Sequence, residues 1–334
     1  MNLSEAEIQL LAILQAAELE NNPSDRGSLD KQGERYGDYL EDWSRAYSSL
    51  ATKGLIEGDE RAYRLTEVGR PLAYRYYQQR PDRYWYYYQQ FYQAAHASKA
   101  HSRFCERVYG KDLCQEGQTD MDCLDELLDC LELKPGQHVL DLGCGAGGIS
   151  EYISDRTGVK VTGMDNSAPA IATADARTEN KRTRLNFLQA DMNALAFPAN
   201  SFDAAISLDT LYWVADLSQS ISSIVRSIKP GGHFGIFIEQ TLAEGDNPEV
   251  LKGNKTEVAQ ALEKLKLDYQ VRDYTTEFGK FWSQARDVAL DLRDEFESEG
   301  NGFISQNWIR EAEDEFLPAL KDNKIRRYCY LVSL

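Results

Sequence analysis

Apolar residues recur at helical spacing near the start of the chain, at Ile8, Leu11, Ile13 and Leu14, and predict an amphipathic helix. A second helix is predicted around Trp43, Tyr47 and Leu50; it stops at K-G-L-I, where Gly54 suits a left-handed cap. The segment I-E-G-D-E-R-A-Y-R-L-T alternates as two short strands around a Gly-Asp turn. Thr66 caps a following helix, with Glu67 in its first turn. From Lys134 onward the period changes. Strand-like runs occur at H-V-L-D-L, K-V-T-G-M-D, L-N-F-L-Q-A-D, F-D-A-A-I-S-L, H-F-G-I-F-I-E, Y-Q-V-R-D-Y and R-R-Y-C-Y-L-V. Helical segments separate the first five, which is the pattern of a parallel, doubly wound α/β sheet. A helical stretch over about 274–323, with Trp282, Arg286, Arg293 and Trp308, divides the last two and is too long for an ordinary connection. It reads as an insertion sitting on the sheet's edge, before the final strand.

This pattern divides the chain into a helical module over residues 1–80, a helical connector or lid over 81–133 and an α/β domain over 134–334. The first part, with L-A-T-K-G-L-I-E-G-D-E-R-A-Y-R-L-T-E-V-G-R-P-L, resembles a winged-helix module. Its counterpart of a recognition helix, E-D-W-S-R-A-Y-S-S-L-A-T-K, sets Glu41 and Asp42 against Arg45 and Lys53 and has no net positive charge. A DNA reader needs a basic helix. The resemblance extends to modules that small-molecule methyltransferases use to dimerise, and a homodimer is expected. The run from Tyr74 to Tyr92 holds ten aromatic residues, among them Tyr84, Trp85, Tyr86, Phe91 and Tyr92. Clustered tyrosines can cage a cation or stack a flat substrate, but they also fill helix and dimer interfaces. Interface packing is expected for most of them, with Phe91 and Tyr92 assigned to a substrate pocket.

Charge narrows the partners. The 334 residues carry 37 Lys+Arg and 54 Asp+Glu, a net of −17, which repels polyanions and anionic membranes from a distance. No run approaches the ~18 apolar residues of a membrane span, and the first residues are acidic where a secretory signal is basic. A cytoplasmic location is expected, with neither nucleic acid nor membrane as partner. The six cysteines include no C-x-x-C pair, and His96, His101, His138 and His233 are not spaced with them as ligands. Reduced thiols and no metal are expected, with Cys123 and Cys130 both packing as small hydrophobes on one helix.

The chemistry concentrates in V-L-D-L-G-C-G-A-G-G-I-S, from Val139 to Ser150. A glycine-rich turn between a strand and a helix lets a ligand approach the backbone at a helix N-terminus. Gly143, Gly145 and Gly148 fit G-x-G-x-x-G, and Asp165 follows at the distance of a ribose-binding acid. Asp141 decides between ligands. Two residues before Gly143, its carboxylate would repel a pyrophosphate, whereas it suits the ammonium group of a methionine moiety.

From here the segment resembles the class I S-adenosylmethionine-dependent methyltransferases acting on small molecules, over roughly Leu131 to Gln240. Asp141, Gly143, Gly145 and Gly147 match D-x-G-x-G-x-G, and I-K-P-G-G-H-F matches the turn before the fifth strand. The resemblance implies a Rossmann-like sheet of seven strands and S-adenosylmethionine as methyl donor. Asp165 would accept from the ribose hydroxyls, with Asn166 bordering the adenine. Asp191 would accept from the adenine amine while Met192 covers the ring. Ser207 and Leu208 would bring backbone to the methionine end, and Cys144 would contribute backbone from within the loop.

Methyl transfer from a sulfonium is an in-line displacement, so positioning supplies much of the acceleration. A base is needed only where the acceptor must lose a proton early. Facing the methyl group, L-D-T-L-Y-W-V offers Asp209, Tyr212 and Trp213. Asp209, Tyr212 and His96 are the candidates for catalysis; His101 shares the connector with His96 and is an alternative. Trp213, Glu239 and Trp282 join Phe91 and Tyr92 as candidate acceptor-pocket residues. Relatives often have a histidine near the position of Trp213, and its absence argues against a His-based O-methylation. The rival readings are a ligand-sensing transcription regulator with a winged helix, and a cofactor-binding protein without methyl transfer.

Overall fold

The structure is a computed structural model that describes residues 3–20, 23–33, 43–79, 83–243 and 245–334. Glu41 and Asp42 lie outside the described residues, and so do the side chains of Tyr84, Trp85 and Tyr86. The chain forms two compact units, Met1–Gln90 and Phe91–Leu334.

In the first unit, α1 (Glu5–Glu20), α2 (Arg26–Gly33) and α3 (Trp43–Thr52) precede a hairpin of β1 (Ile56–Asp59) and β2 (Ala62–Leu65), and α4 (Gly69–Gln79) follows. Leu10, Leu11, Leu14, Leu29 and Leu50 are fully buried and share one core with Ile56 and Leu65 of the hairpin. Asp30 ties α2 to α3 by accepting from Trp43 Nε1 at 3.0 Å and Tyr47 Oη at 2.7 Å. Gly54, with φ 68°, ends α3 in the left-handed conformation. Thr66 Oγ1 accepts from the Gly69 N–H at 2.9 Å and so caps α4. The hairpin turn differs from the sequence expectation. Asp59 pairs with Ala62, so Glu60 and Arg61 form the loop and Gly58 lies within the strand. Asp59 Oδ1 accepts from the Arg61 N–H at 2.9 Å, closing the turn one step later than a Gly-Asp corner would.

Helix α5 (Arg83–Ala94) crosses the division between the units. The second unit continues with α6 (Lys99–Val108), α7 (Met121–Cys130), β3 (His138–Leu142), α8 (Gly148–Thr157), β4 (Lys160–Asp165), α9 (Ala168–Arg177), β5 (Leu185–Gln189) and β6 (Phe202–Leu208). Then come α10 (Leu217–Ser227), β7 (Ile228–Thr241), α11 (Glu257–Lys264), β8 (Asp268–Asp273), the helical insertion α12 (Thr275–Asp291), α13 (Arg293–Ser298), α14 (Gly302–Arg310) and α15 (Leu317–Lys321), and finally β9 (Ile325–Ser333). The seven strands are ordered β5-β4-β3-β6-β7-β9-β8. Pairing is parallel from β5 through β7, and β9 is antiparallel to both of its neighbours. Val139, Leu140 and Leu142 of β3 are fully buried, as a central parallel strand covered on both faces requires. Leu124, Leu127, Ile153 and Ile171 cover one face; Ile221, Ile224 and Leu262 cover the other. This is the Rossmann-like class I methyltransferase sheet.

Two expectations need correction. The insertion does not sit on the sheet's edge: it follows the edge strand β8 but packs against β9, which enters between β7 and β8. Strand β9 buries Ile325, Tyr330 and Val332, whereas β8, D-Y-Q-V-R-D, is exposed along most of its length, and a short charged strand suits an edge. Cys123 is buried, but Cys130 is exposed: it shares the solvent side of the last turn of α7 with Asp129, while Leu127, Leu128 and Leu131 hold that turn to the core. The insertion builds an aromatic core that also takes in Phe104 of α6 and Tyr109. Trp282 is fully buried, stacked on Phe316 with ring centroids 4.1 Å apart, and Trp308 lies 5.3 Å away.

Candidate functional site

The strand order reverses at β3, which has β4 on one side and β6 on the other, and open α/β sheets bind ligands at the carboxyl edge of such a switch point. The glycine-rich loop leaves β3 there. Gly143, Gly145 and Gly147 have φ of 73°, 53° and 75°, a region that residues with a side chain rarely adopt. One of these glycines and the neighbouring Gly148 also clear space. A Cβ on Gly145 would lie 2.5 Å from the Tyr92 hydroxyl, and one on Gly148 would lie 1.9 Å from the Leu113 carbonyl oxygen. The N–H groups of Gly143 and Cys144 both donate to Met164 O, at 2.8 and 2.9 Å, and lock the loop against β4.

Two carboxylates converge on this loop. Asp141 is 3% exposed and accepts from Ser150 Oγ. Burial pushes its carboxyl up to about 6, the neighbouring Asp165 charge adds to the rise, and the Ser150 hydroxyl opposes it. Asp165 accepts from the Gly145 N–H at 3.0 Å through Oδ2 and from the Ser167 N–H at 2.9 Å through Oδ1. Burial also raises the Asp165 carboxyl, against those N–H donors. Cys144 is buried, which holds its thiol well above the ordinary range and suits a backbone role over a nucleophilic one.

Across the switch point, Thr210 Oγ1 donates to Leu142 O at 3.0 Å, and Ser207 Oγ lies 2.7 Å from Thr210 Oγ1. Asp209 follows β6 with a left-handed φ of 59°. Its Oδ2 accepts from the Gln118 N–H at 2.7 Å and from Thr119 Oγ1 at 2.9 Å. Its Oδ1 lies 2.6 Å from Arg327 Nη1. At the end of β5, the Ala190 N–H donates to Asp165 O at 2.9 Å, which places Asp191 beside the Asp165 turn. Asp191 and Asn166 are exposed and Met192 is half-buried, so these three form an open rim. Glu239 Oε2 is buried and makes no hydrogen bond among the described residues. Burial and the Asp209 charge push the Glu239 carboxyl up to about 7, with Arg327 opposing.

Tyr92, Asp141, Gly143, Gly145, Leu208 and Asp209 line one pocket, which is open to solvent on one side. The sequence expectations thus meet there in part. Phe91 is fully buried behind Tyr92, with ring centroids 5.1 Å apart. Tyr212 and Trp213 are partly exposed and pack edge to face beyond the lining. His96 is exposed on the turn after α5. His101 is buried, its Nε2 lies 3.3 Å from Cys105 Sγ, and burial lowers it to about 4. Trp282 lies in the insertion's core, away from the pocket lining. Sequence reasoning missed the segment from Leu113 to Gly117 that walls the pocket, together with Thr119 and Arg327. The one available signal was a pair of arginines opening an otherwise apolar last strand.

The sequence model of a family described as "Methyltransferase domain" matches residues 140–236. A phosphoethanolamine N-methyltransferase of Triticum aestivum is 35% identical over 127 residues, which cover 38% of this chain and 25% of that protein. A sterol 24-C-methyltransferase of Gibberella zeae is 38% identical over 117 residues, covering 34% of this chain and 31% of that one. The chain therefore spans only a quarter to a third of the length of these curated relatives. Among solved structures, phosphoethanolamine N-methyltransferase 2 of Haemonchus contortus, in complex with phosphomonomethylethanolamine and S-adenosylhomocysteine, superposes with a TM-score of 0.59 at 19% identity. The superposition covers 74% of this chain and 60% of that one, and at that identity the likeness is one of fold. Sheet order and glycine loop are those of the class I methyltransferase fold, and residues 140–236 are similar to the methyltransferase domain family.

Proposed function

We propose that the chain transfers a methyl group from S-adenosylmethionine to a small-molecule acceptor, releasing S-adenosylhomocysteine. One observation carries this reading: Asp141, the left-handed glycines and Asp165 converge at the switch point within the segment that matches the methyltransferase family. In this reading Asp165 receives the ribose hydroxyls and Asp141 faces the ammonium group. Asn166, Asp191 and Met192 form the adenine rim, and the backbone at Gly143, Cys144, Gly145, Ser207 and Leu208 follows the methionine end. No metal is required. Named relatives acting on phosphoethanolamine and on sterols support both nitrogen and carbon as acceptor atoms. Asp209, which lines the pocket, is the group we assign to the acceptor side, ahead of Tyr212 and the exposed His96. Calorimetry with S-adenosylhomocysteine tests the cofactor, and a panel of amines, sterols and phenols read out by S-adenosylhomocysteine release tests the reaction. Absence of both heat and turnover overturns the reading.

The raised Asp141 carboxyl gives the cofactor affinity a pH dependence whose sign follows from linkage. Its folded value of about 6 lies above the ordinary carboxylate value. In the free protein the neutral form is therefore favoured, and that contribution to stability is lost as pH rises through about 6. The cofactor's ammonium favours the ionised form, so binding releases a proton at low pH. Affinity for S-adenosylhomocysteine is expected to fall below pH 6, with a limiting slope of about tenfold per pH unit. Calorimetry from pH 5 to pH 8 should show this fall in the wild type and a shallower one, left to Asp165, in Asp141→Asn, which should bind weakly throughout. The same slope in both proteins would remove Asp141 from the ammonium site.

We further propose that residues 1–80 are a winged-helix-like module serving self-association, that 81–133 form a connector, and that 134–334 form the methyltransferase domain of a cytoplasmic homodimer. The hairpin between α3 and α4, the acidic balance and the tyrosine-rich run support this. Light scattering at micromolar concentration is expected to give twice the chain mass. A monomer with and without cofactor would remove the dimer. A DNA shift assay at low salt is expected to show no complex. Among the described residues no helix is long and apolar enough to cross a membrane.

A further inference from the structure

Beside the pocket lies a buried ion cluster whose members come from four distant places in the chain. Arg327, on β9, is 2% exposed; its Nη1 lies 2.6 Å from Asp209 Oδ1 and 3.8 Å from Glu239 Oε2. Its Nη2 donates to Thr119 Oγ1 at 2.8 Å, and Thr119 Oγ1 donates onward to Asp209 Oδ2 at 2.9 Å. Gln118 joins twice. Its N–H donates to Asp209 Oδ2 at 2.7 Å, and its Oε1 accepts from Arg327 Nη1 at 3.3 Å. Phe237 and Phe278 flank the guanidinium at 5.4 and 5.2 Å.

A buried ion pair is a weak device for stability alone, because removing two charges from water offsets their attraction and apolar packing often serves as well. What a guanidinium adds is a rigid fork that fixes two groups at once. Here one group is Asp209, held in a left-handed backbone conformation at the pocket wall. The other is the segment ending in Gln118 and Thr119, which forms the pocket's outer side from Leu113 onward. That segment lies directly on the glycine loop: the Leu113 carbonyl covers Gly148, and Gly117 passes Asp209 so closely that a Cβ there would be 3.1 Å from Oδ2. Tyr109 Oη steadies its middle by donating to Gly117 O at 2.7 Å.

We infer that Arg327 is a positioning residue that clamps the 113–119 segment over the cofactor loop through Gln118 and Thr119, while holding Asp209 at the pocket wall. The clamp sets how long S-adenosylhomocysteine stays bound, and in this respect the inference rests on the function proposed above. Opening the segment breaks the bonds from Gln118 and Thr119 to Asp209 and Arg327 but leaves the sheet intact.

The test uses the full chain and three variants, Thr119→Val, Arg327→Lys and Arg327→Met, with amide hydrogen exchange and stopped-flow dissociation of S-adenosylhomocysteine as readouts. Thr119→Val removes the hydroxyl relay and neither charge; Arg327→Lys keeps the charge and loses the fork. Each is expected to speed exchange over 117–119 and cofactor-product release by about tenfold, the scale of one lost hydrogen bond to a charged group. Exchange in β3 and β6 and the melting temperature should stay near those of the wild type in both. Arg327→Met, which strands Asp209 and Glu239 without their cation, should exceed them in both readouts. Unchanged exchange at 117–119 in Thr119→Val and Arg327→Lys overturns the inference, as does a uniform rise across the chain, which a purely structural arginine would give. If the wild type binds no S-adenosylhomocysteine, the proposed function fails, and the exchange measurement still decides the clamp.

Discussion

Asp165→Ala is expected to weaken S-adenosylhomocysteine binding by about 1.5–3 kcal/mol, roughly tenfold to more than a hundredfold in affinity. The carboxylate stands at the end of β4 in V-T-G-M-D, with its two oxygens held by the Gly145 and Ser167 N–H groups at 3.0 and 2.9 Å. Each oxygen keeps a lone pair directed away from those donors, so a vicinal diol can be met by two charge-assisted hydrogen bonds. Burial works against the ionised form, so hydroxyl donors from a ligand relieve a penalty already present in the free protein. Asp165→Asn separates the contributions. The amide retains an acceptor oxygen and loses the charge, and it should fall between the wild type and alanine. Part of any loss in the alanine variant will reflect the freed Gly145 and Ser167 N–H groups, of which the single asparagine oxygen can satisfy one. Calorimetry at pH 7 on both variants measures this. An alanine variant that binds as the wild type does would move the ribose to another acid.

The parts of this site that were legible in the sequence are those built by neighbours in sequence. The glycine loop, Asp141 at the end of β3 and Asp165 at the end of β4 occupy fixed offsets from strand ends, and a period-two apolar run locates a strand end closely. The order of the last two strands was not legible. Both runs alternate acceptably as strands, and what places β9 inside is its pairing with β7 from His233↔Ser333 to Thr241↔Ile325, contacts between residues nearly a hundred positions apart. The ion cluster was illegible for the same reason. Arg327 and Thr119 are 208 residues apart, and Thr119 and Asp209 are 90 apart. A charged residue in a strand reads as solvent-facing unless its counter-ions are known. Arg327 faces the same side of the sheet as Phe237, covered by Phe278 of α12 and by Gln118 and Thr119, all distant in sequence. The acceptor-side expectations split along this line. Asp209 sits one residue past a strand end and lines the pocket, whereas Trp282 was selected by helical spacing, which locates a buried stripe without saying what it is buried against.

Trp282→Ala is therefore expected to act first on stability, lowering it by about 3–5 kcal/mol, the range for removing a large buried aromatic side chain. The ring is fully buried, stacked on Phe316 at 4.1 Å and set against Phe278, Phe281 and Trp308 at 6.2, 5.8 and 5.3 Å. Its Nε1 makes no hydrogen bond among the described residues, so the side chain serves there as shape and apolar area. Replacement by phenylalanine should keep the stacking and recover much of the loss, while alanine leaves a cavity between α12 and α14. Urea unfolding of the three proteins measures this order. The same variants decide whether the insertion shapes the acceptor pocket. Below the unfolding transition, Trp282→Phe should retain wild-type affinity for S-adenosylhomocysteine, because Trp282 lies outside the lining of the cofactor pocket. If the aromatic cluster sets the position of the pocket wall through α12, which carries Phe278 against the Arg327 guanidinium, acceptor turnover should fall in that variant while cofactor affinity holds. Loss of both affinities in parallel would mark the cluster as a scaffold for the whole domain, and unchanged acceptor turnover would place the acceptor's determinants on the Tyr92 side of the pocket instead.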